Sequence, residues 1–381
     1  MIGCCLARIA ALALAVAALA GIARAQPLVV AMEPQATAAP LIIADARGWF
    51  AQEGLDVRLV HFHANRTMMM ALAEGDVDVA LVDLSAEAFA MAARHELRII
   101  AGAEQLDPDH PRYAWLLRAE HSDRGLDGLG QVPGATVGIT EAGASARFLL
   151  NRLLDGGTDA FTYVPEGSEV ALAAALSQGR IDAALLPAHL AANLEATGSA
   201  VVSGWAGAAE GPVSLSVLMT TAAQSRLRTD VVTRFLRAYV RGVRAYHQMV
   251  LEVAAEEGGL EGAERAALLQ VIAGGARRPA AEVAAALPYI ARDGRLNPAS
   301  LAVQLAWWKE QGECERDVAV RALVDLAPLN AAIASLEAEA AEPPAAAIAG
   351  AVLDDGSDGL QPVTDFGAVG GPDPDQDPPA E

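Results

Sequence analysis

The chain has 381 residues, 53% of them hydrophobic, with 48 Asp and Glu against 27 Lys and Arg for a formal charge of −21. That balance excludes nucleic acid as a partner, because gripping a phosphate backbone needs clustered cations, and it disfavours an anionic membrane surface for the same reason. Once both ends are set aside, about 310 residues remain, enough for two lobes of ordinary size.

Both ends read as something other than fold. Arg8 precedes the apolar run Ile9 to Ile22, and Ala23-Arg24-Ala25 supplies a small-x-small cleavage pattern before Gln26, so residues 1–25 are expected to be a secretory signal peptide. The run is too short and wrongly flanked for a membrane span. Cleavage would remove Arg8 and Arg24, taking the charge from −21 to −23, and would leave Cys314 alone, so the mature chain forms no internal disulfide. From Glu337 onward the chain is mostly Ala, Pro, Gly and Asp, has no Lys or Arg, and carries nearly half of the acidic excess. Residues 337–381 are therefore expected to be a disordered acidic tail.

The mature chain opens with PLVVAM, an apolar run of strand length, followed by the loop EPQATAAP, in which Thr37 is placed to cap a helix with Pro40 in its first turn. That helix carries Leu41, Ala44 and Gly48 on one stripe and ends near Gly54. LDVRLVHF reads as the second strand; Asn65 and Thr67 offer caps for a short helix, Met68 to Glu74, closed by Gly75; VDVALV reads as the third strand. Strand, helix, strand, helix, strand at this spacing calls for a parallel sheet with right-handed crossovers, and it puts the loops 33–39, 63–67 and 83–87 at the carboxyl edge where open α/β sheets bind ligands.

The second half repeats this grammar. ATVGIT is a strand, EAGAS a loop, ARFLLNRLLDGG a helix, FTYV a strand, PEGS a loop with Ser168 as a cap, EVALAAALSQG a helix and RIDAALLP a strand. Leu72 to Asp83 and Leu176 to Pro187 align without a gap, matching Asp78 to Asp182, for which a structural role in bonding to backbone is expected. RYAWLLRAEHSD reads as the outgoing connection between the lobes and GPVSLSVLMTT as the returning one, with Trp115 and Trp205 placed to line a cleft. After Thr229 the chain turns helical, with Val232, Phe235, Leu236, Tyr239, Val243 and Tyr246 at helical spacing and an Asn297 cap before Pro298. This segment is expected to pack back on the first lobe, and Trp307 and Trp308 to serve packing.

Few residues advertise chemistry. His61 and His63 lie two apart on a strand, but no further metal ligand stands at a useful spacing, and no metal site is expected. There is no G-x-S-x-G elbow, phosphate loop, dinucleotide fingerprint or zinc spacing, so neither a catalytic residue nor a cofactor is predicted. Ser145 sits where a helix N-terminus attracts an anion, and Arg66, in a loop at the sheet edge, has the fork to meet a carboxylate or sulfonate. For each, a plain cap or a solvated cation is the competing reading.

PLVVAMEPQATAAPLIIADARGWFAQEGLDVRLV, MALAEGDVDVALVD, GATVGITEAGASARFLLNRLL and ALSQGRIDAALLP together resemble the soluble substrate-binding proteins of bacterial ABC importers, in the NMT1-like group for nitrate, sulfonates, taurine and thiamine-pyrimidine precursors. The resemblance covers about residues 27 to 335 and is carried above all by Gly48 to Val57 and Ala71 to Asp78. It implies an α/β type II periplasmic binding fold: two doubly wound lobes joined by two crossing segments, with C-terminal helices on the first. Lobe 1 would comprise 26–115 and 212–336, and lobe 2 would comprise 116–211. It implies a periplasmic, non-enzymatic monomer whose partners are a small-molecule ligand and an ABC permease with its ATPase. Ligand contacts would come from Gln35 and Thr37, Asn65 and Arg66, Asp83 and Ser85, and Ala144 and Ser145. The chain departs from the pattern in its Ala-rich first loop, in the single hydroxyl of its GAS loop, and in Glu141 and Glu166 near the mouth, which make a sulfonate or nitrate a less natural ligand. The alternatives are a ligand sensor feeding a membrane receptor and, against the signal peptide, a fold-related enzyme of pyrimidine-precursor synthesis or the menaquinone pathway.

Overall fold

The computed structural model describes residues 27–141, 144–155, 157–207, 212–252, 260–315 and 317–341. The expected signal peptide, 1–25, lies outside these residues, as does the expected acidic tail beyond Ala341. The chain divides into two units, Met1–Glu337 and Ala338–Glu381, and the fold described below is that of the first.

The strands, in chain order, are β1 (Leu28–Met32), β2 (Val57–His61), β3 (Val79–Asp83), β4 (Leu97–Gly102), β5 (Gln105–Leu106), β6 (Tyr113–Arg118), β7 (Thr136–Ile139), β8 (Thr162–Pro165), β9 (Ala183–Pro187), β10 (Ala200–Trp205), β11 (Val213–Ser214) and β12 (Ser216–Thr221). Ten of them form two five-stranded sheets, ordered β2-β1-β3-β12-β4 and β10-β6-β9-β7-β8, and β5 pairs with β11. β1 runs parallel to β2 and β3, and β7 runs parallel to β8 and β9, as the strand-helix-strand spacing requires. The architecture is the two-sheet α/β periplasmic binding fold expected above.

Neither sheet is wholly parallel. β12 enters the first antiparallel to β3 and β4, and β6 enters the second antiparallel to β9 and β10. Both come from segments read as connections, and both are too apolar to stay outside: β6 is buried from Ala114 to Leu117 and β12 from Ser216 to Thr220. A chain crossing between sheets inserts its apolar run against the direction of its neighbours, which antiparallel pairing accommodates. Trp115, fully buried in β6, is therefore a core residue and not a cleft residue, while Trp205 closes β10 at 37% exposure. The two crossings also pair with each other as a short ribbon, Leu106 opposite Val213 and Gln105 opposite Ser214.

The repeated helix-glycine-strand phrase has one physical job in each sheet. Asp78 Oδ2 accepts the Val29 backbone N–H at 2.8 Å, and Asp182 Oδ2 accepts the Thr136 backbone N–H at 2.8 Å. Each aspartate thus pins the start of the strand beside its own, satisfying a backbone donor that has no ladder partner there. Asp182 also takes the Thr136 hydroxyl at 2.8 Å and the Arg118 guanidinium at 2.7 Å. Burial alone would raise its pKa, yet the Thr136, His121 and Arg118 contacts hold it below the usual carboxylate range.

The Gly48 to Val57 phrase is likewise structural. The first helix, Ala39–Ala46, breaks at Gly48, whose φ of +67° suits glycine, and resumes over Trp49–Gln52, so Gly48 is a turn and not part of a continuous helical stripe. Phe50 stacks on Phe235 with ring centroids 5.4 Å apart, and the buried Glu53 carboxylate meets Arg237 at 2.9 Å and Arg241 at 3.3 Å. All three partners lie on the helix Thr229–Tyr246, which buries its apolar stripe as its periodicity predicts.

Two expected caps are not made. Ala38, with no side-chain bond, precedes the first helix, while Thr37 sits in the turn Ala36–Ala38 and gives its hydroxyl to Glu104 at 3.2 Å. The next helix spans Asn65–Glu74, longer than predicted, so Asn65 and Thr67 are inside it, and the Thr67 hydroxyl bonds back to the Ala64 carbonyl. Ser168 and Asn297 do cap, accepting the N–H of Ala171 at 3.2 Å and of Ala299 at 3.0 Å. The helix Pro298–Glu310 buries Trp307 and Trp308 and also reaches the helix Ser145–Leu153 of the second sheet, Trp307 lying edge-on to Phe148 at 5.8 Å.

Candidate ligand-binding cavity

Parallel strands deliver their following loops to one edge, and the two sheets turn these edges toward each other. Between them lies a cavity of about 600 Å³. The loop after β1 contributes Glu33, Gln35 and Ala36; the loop after β2, His63, Asn65 and Arg66; the end of β3, Asp83 and Leu84. From the other sheet come Thr140, Glu141, Ala144 and Ser145 after β7, Ser168 and Glu169 after β8, and His189 after β9. The crossings add Glu104, Arg112 and Tyr113, and Arg278 and Glu282 come from around the helix Ala280–Ala285.

Six of the eight residues expected to touch ligand line this cavity: Gln35, Asn65, Arg66, Asp83, Ala144 and Ser145. Thr37 and Ser85 do not. Thr37 borders a smaller recess behind Gln35 and Asp83, and Ser85 is buried as the cap of the helix Ala86–Arg94, accepting the Ala88 N–H at 3.1 Å. Several lining groups are committed to the protein itself. Asn65 bonds the Asp83 backbone in both directions, at 2.9 and 3.1 Å, tying the second loop to the third. Arg66 forms an ion pair with Glu87 while remaining largely exposed. The Ser145 hydroxyl donates to the Leu84 carbonyl at 2.5 Å beside a bridge between Ala144 and Ser85, so this pair joins the two sheets' edges. Arg147 reinforces the junction, meeting Glu313 at 2.5 Å under the rings of Trp307 and Trp308.

The electrostatics were only partly visible in sequence. Six carboxylates line the cavity, Glu33, Asp83, Glu104, Glu141, Glu169 and Glu282, against the three guanidiniums of Arg66, Arg112 and Arg278. Glu166, expected near the mouth, pairs with Arg180 and is not itself among the lining residues, though the neighbouring Ser168 and Glu169 are. Asp83 is open to the cavity but surrounded by protein atoms. Burial, then Glu33, Glu141 and Glu169, push its pKa up to about 7. Burial also raises Glu141, with Glu87 and Glu33 adding to the effect, and raises Glu169, which the Arg112 charge and a hydrogen bond from Tyr113 partly offset. Glu104 and Arg112 form a nearly buried ion pair, and burial followed by the Arg112 charge lowers the pKa of His189. Glu104, Arg112, Tyr113 and His189 escaped the sequence reading because they stand on the crossings and at the start of a helix, where no motif marks them. Cys314 is buried, donates to the Ala86 carbonyl at 3.3 Å, and has a thiol pushed up to about 11, chiefly by burial. Among the described residues no group of three or more His, Cys, Asp or Glu is placed to hold a metal ion, and His61 bonds the Gly275 carbonyl at 2.8 Å.

Residues 35–249 match the family described as NMT1/THI5 like, and the chain belongs to that family. Its fold is similar to that of the alkanesulfonate-binding protein SsuA from Xanthomonas axonopodis pv. citri bound to MOPS, at 19% identity and a TM-score of 0.59, over 80% of this chain and 100% of that one. It is similar to the ligand-binding component of an ABC-type import system from Staphylococcus aureus at 14% identity and TM-score 0.60, over 80% and 98% of the two chains. The periplasmic nitrate-binding protein NrtA from Synechocystis PCC 6803 is similar at 13% identity and TM-score 0.57, over 83% and 90%. A search of curated proteins found no match.

Proposed function

We propose that the chain is the extracytoplasmic solute-binding component of an ABC importer. It captures one small organic solute between the two sheets and hands it to a membrane permease served by an ATPase. The observation that carries this reading is the cavity of about 600 Å³ formed jointly by the loop edges of both sheets, a size suited to a small molecule, in a fold shared with binding proteins of import systems. Gln35, Asn65, Arg66, Asp83, Ala144 and Ser145 contribute contacts, with Thr37 and Ser85 acting one step behind through Glu104 and a helix start.

In this reading residues 1–25 direct export to the periplasm, and the lobes 26–115 with 212–336 and 116–211 close as a monomer on the solute. Contacts from the second lobe favour the closed state, because only differential affinity moves such an equilibrium. No bond of the solute is broken. The test is the melting temperature of the purified chain against fractions of a small-molecule extract. A fraction that raises it with concentration supports the reading, since a ligand at 100 times its Kd adds about 2.7 kcal/mol. Turnover of a compound without stabilisation would count against it.

A further inference from the structure

We infer that the solute is an organic cation, an ammonium, amidinium or guanidinium ion, whose charge is held by Asp83 and Glu141. The inference rests on the solute-binding reading above and deepens it.

The count of charged groups is less telling than the count of their partners. Glu104 is matched by Arg112 and by the Thr37 hydroxyl. Arg66 spends its charge on Glu87, outside the cavity. Arg278 lies 3.9 Å from Glu282. Glu33 takes the Gln35 amide at 2.7 Å. Among the described residues, Asp83 and Glu141 alone of the six lining carboxylates have no ion pair or hydrogen bond to the carboxylate group, and the charge of Glu141 acts on Asp83 across the junction of the two sheets. Glu33, Glu141 and Glu169 all repel the charge of Asp83, and only Arg112 eases it. Crowding acids beside a cavity without a counter-charge is costly unless something brings that charge in.

Helix starts make the opposite case. The helices Ser145–Leu153 and Glu169–Ser177 both open on the cavity, and such N-termini ordinarily attract anions. Here Glu169 occupies the first turn of one, and Glu141 accepts the Ala144 N–H through its backbone just before the other. An incoming sulfonate or nitrate would meet Asp83, Glu141 and Glu169, while the charges of Arg66 and Arg112 are already matched by Glu87 and Glu104, leaving the unbonded Arg112 Nε as a single donor. A cation meets the reverse: its charge replaces the missing partner, and the net charge of −21 adds a long-range attraction. Cation binding also lets Asp83 shed the proton that burial, and then its acidic neighbours, make it retain near neutrality, so binding strengthens as pH rises through about 7.

The experiment is a thermal-shift panel on the full chain at pH 5.5 and pH 8, with choline, benzamidine and agmatine as cations, methanesulfonate and nitrate as anions, and uracil as a neutral probe. The expected result is concentration-dependent stabilisation by a cation, stronger at pH 8, and weakened about thirtyfold in affinity by Asp83→Asn. Glu141→Gln is the second variant, on the opposite wall. Stabilisation by an anion or by uracil, unchanged in both variants, overturns the cation assignment and leaves solute binding standing. If every probe is silent but an extract fraction stabilises the chain, the fraction's ion-exchange behaviour decides: retention on a cation exchanger supports the assignment, and passage through it overturns the assignment. If no probe and no fraction stabilises the chain, the solute-binding reading itself falls.

Discussion

Asp83 stands where a strand ends, two loops meet and three other carboxylates crowd in, and its protonation links the cavity to the stability of the whole protein. Its folded pKa of about 7 is above the ordinary 3.8, so the group favours folding fully below about pH 4, and this contribution is lost as pH rises through 7. Melting temperature should therefore fall between pH 4 and pH 7 more steeply in the wild type than in Asp83→Asn, and the variant should melt higher at pH 8. Parallel curves would show that Asp83 titrates normally. Asp78 and Asp182 serve instead as backbone anchors. Removing either carboxylate takes away the acceptor 2.8 Å from a backbone N–H and leaves that donor unsatisfied, so Asp78→Ala or Asp182→Ala should each lose about 2 kcal/mol in urea unfolding. These anchoring roles were readable from the ungapped alignment of the two phrases. The acidity around Asp83 was not, because Glu33, Glu141 and Glu169 are far apart in sequence and meet only when two sheets face each other.

At the scale of elements, periodicity located β1 to β3, β7 to β9 and the helices between them, but it passed over β4 and β10 and could not say which apolar run joins which sheet. The βαβ spacing placed β1 to β3 and β7 to β9 correctly, whereas β6 and β12 were read as connections because pairing partners of an inserted antiparallel strand leave no local signal. The family phrases turned out to speak of helix packing: Phe50, Glu53 and Gly54 all face the helix Thr229–Tyr246. That helix approaches the first one so closely at Gly242 that an added Cβ would stand 2.1 Å from the Pro40 carbonyl oxygen, a contact no side-chain movement relieves. Gly242→Ala should cost at least about 1–3 kcal/mol in unfolding free energy, despite alanine's better helix propensity. A neutral or stabilising effect would mean that the two helices sit further apart than described.

At the scale of the molecule, the ligand edge of each sheet was foreseeable, since parallel strands send their loops to one side; the crossings' share of the cavity, Glu104, Arg112 and Tyr113, was not. The junction at Ser145 and Leu84, with Arg147 and Glu313 beside it, holds the two edges together beside the cavity. Solute capture in that space is the central claim. Its most direct test is native mass spectrometry of the full chain produced with periplasmic export and purified without denaturation. The account predicts a population heavier than the polypeptide by one small molecule, released on gentle activation and regained on adding it back. A chain that carries no adduct, and gains none from periplasmic extract, would contradict it.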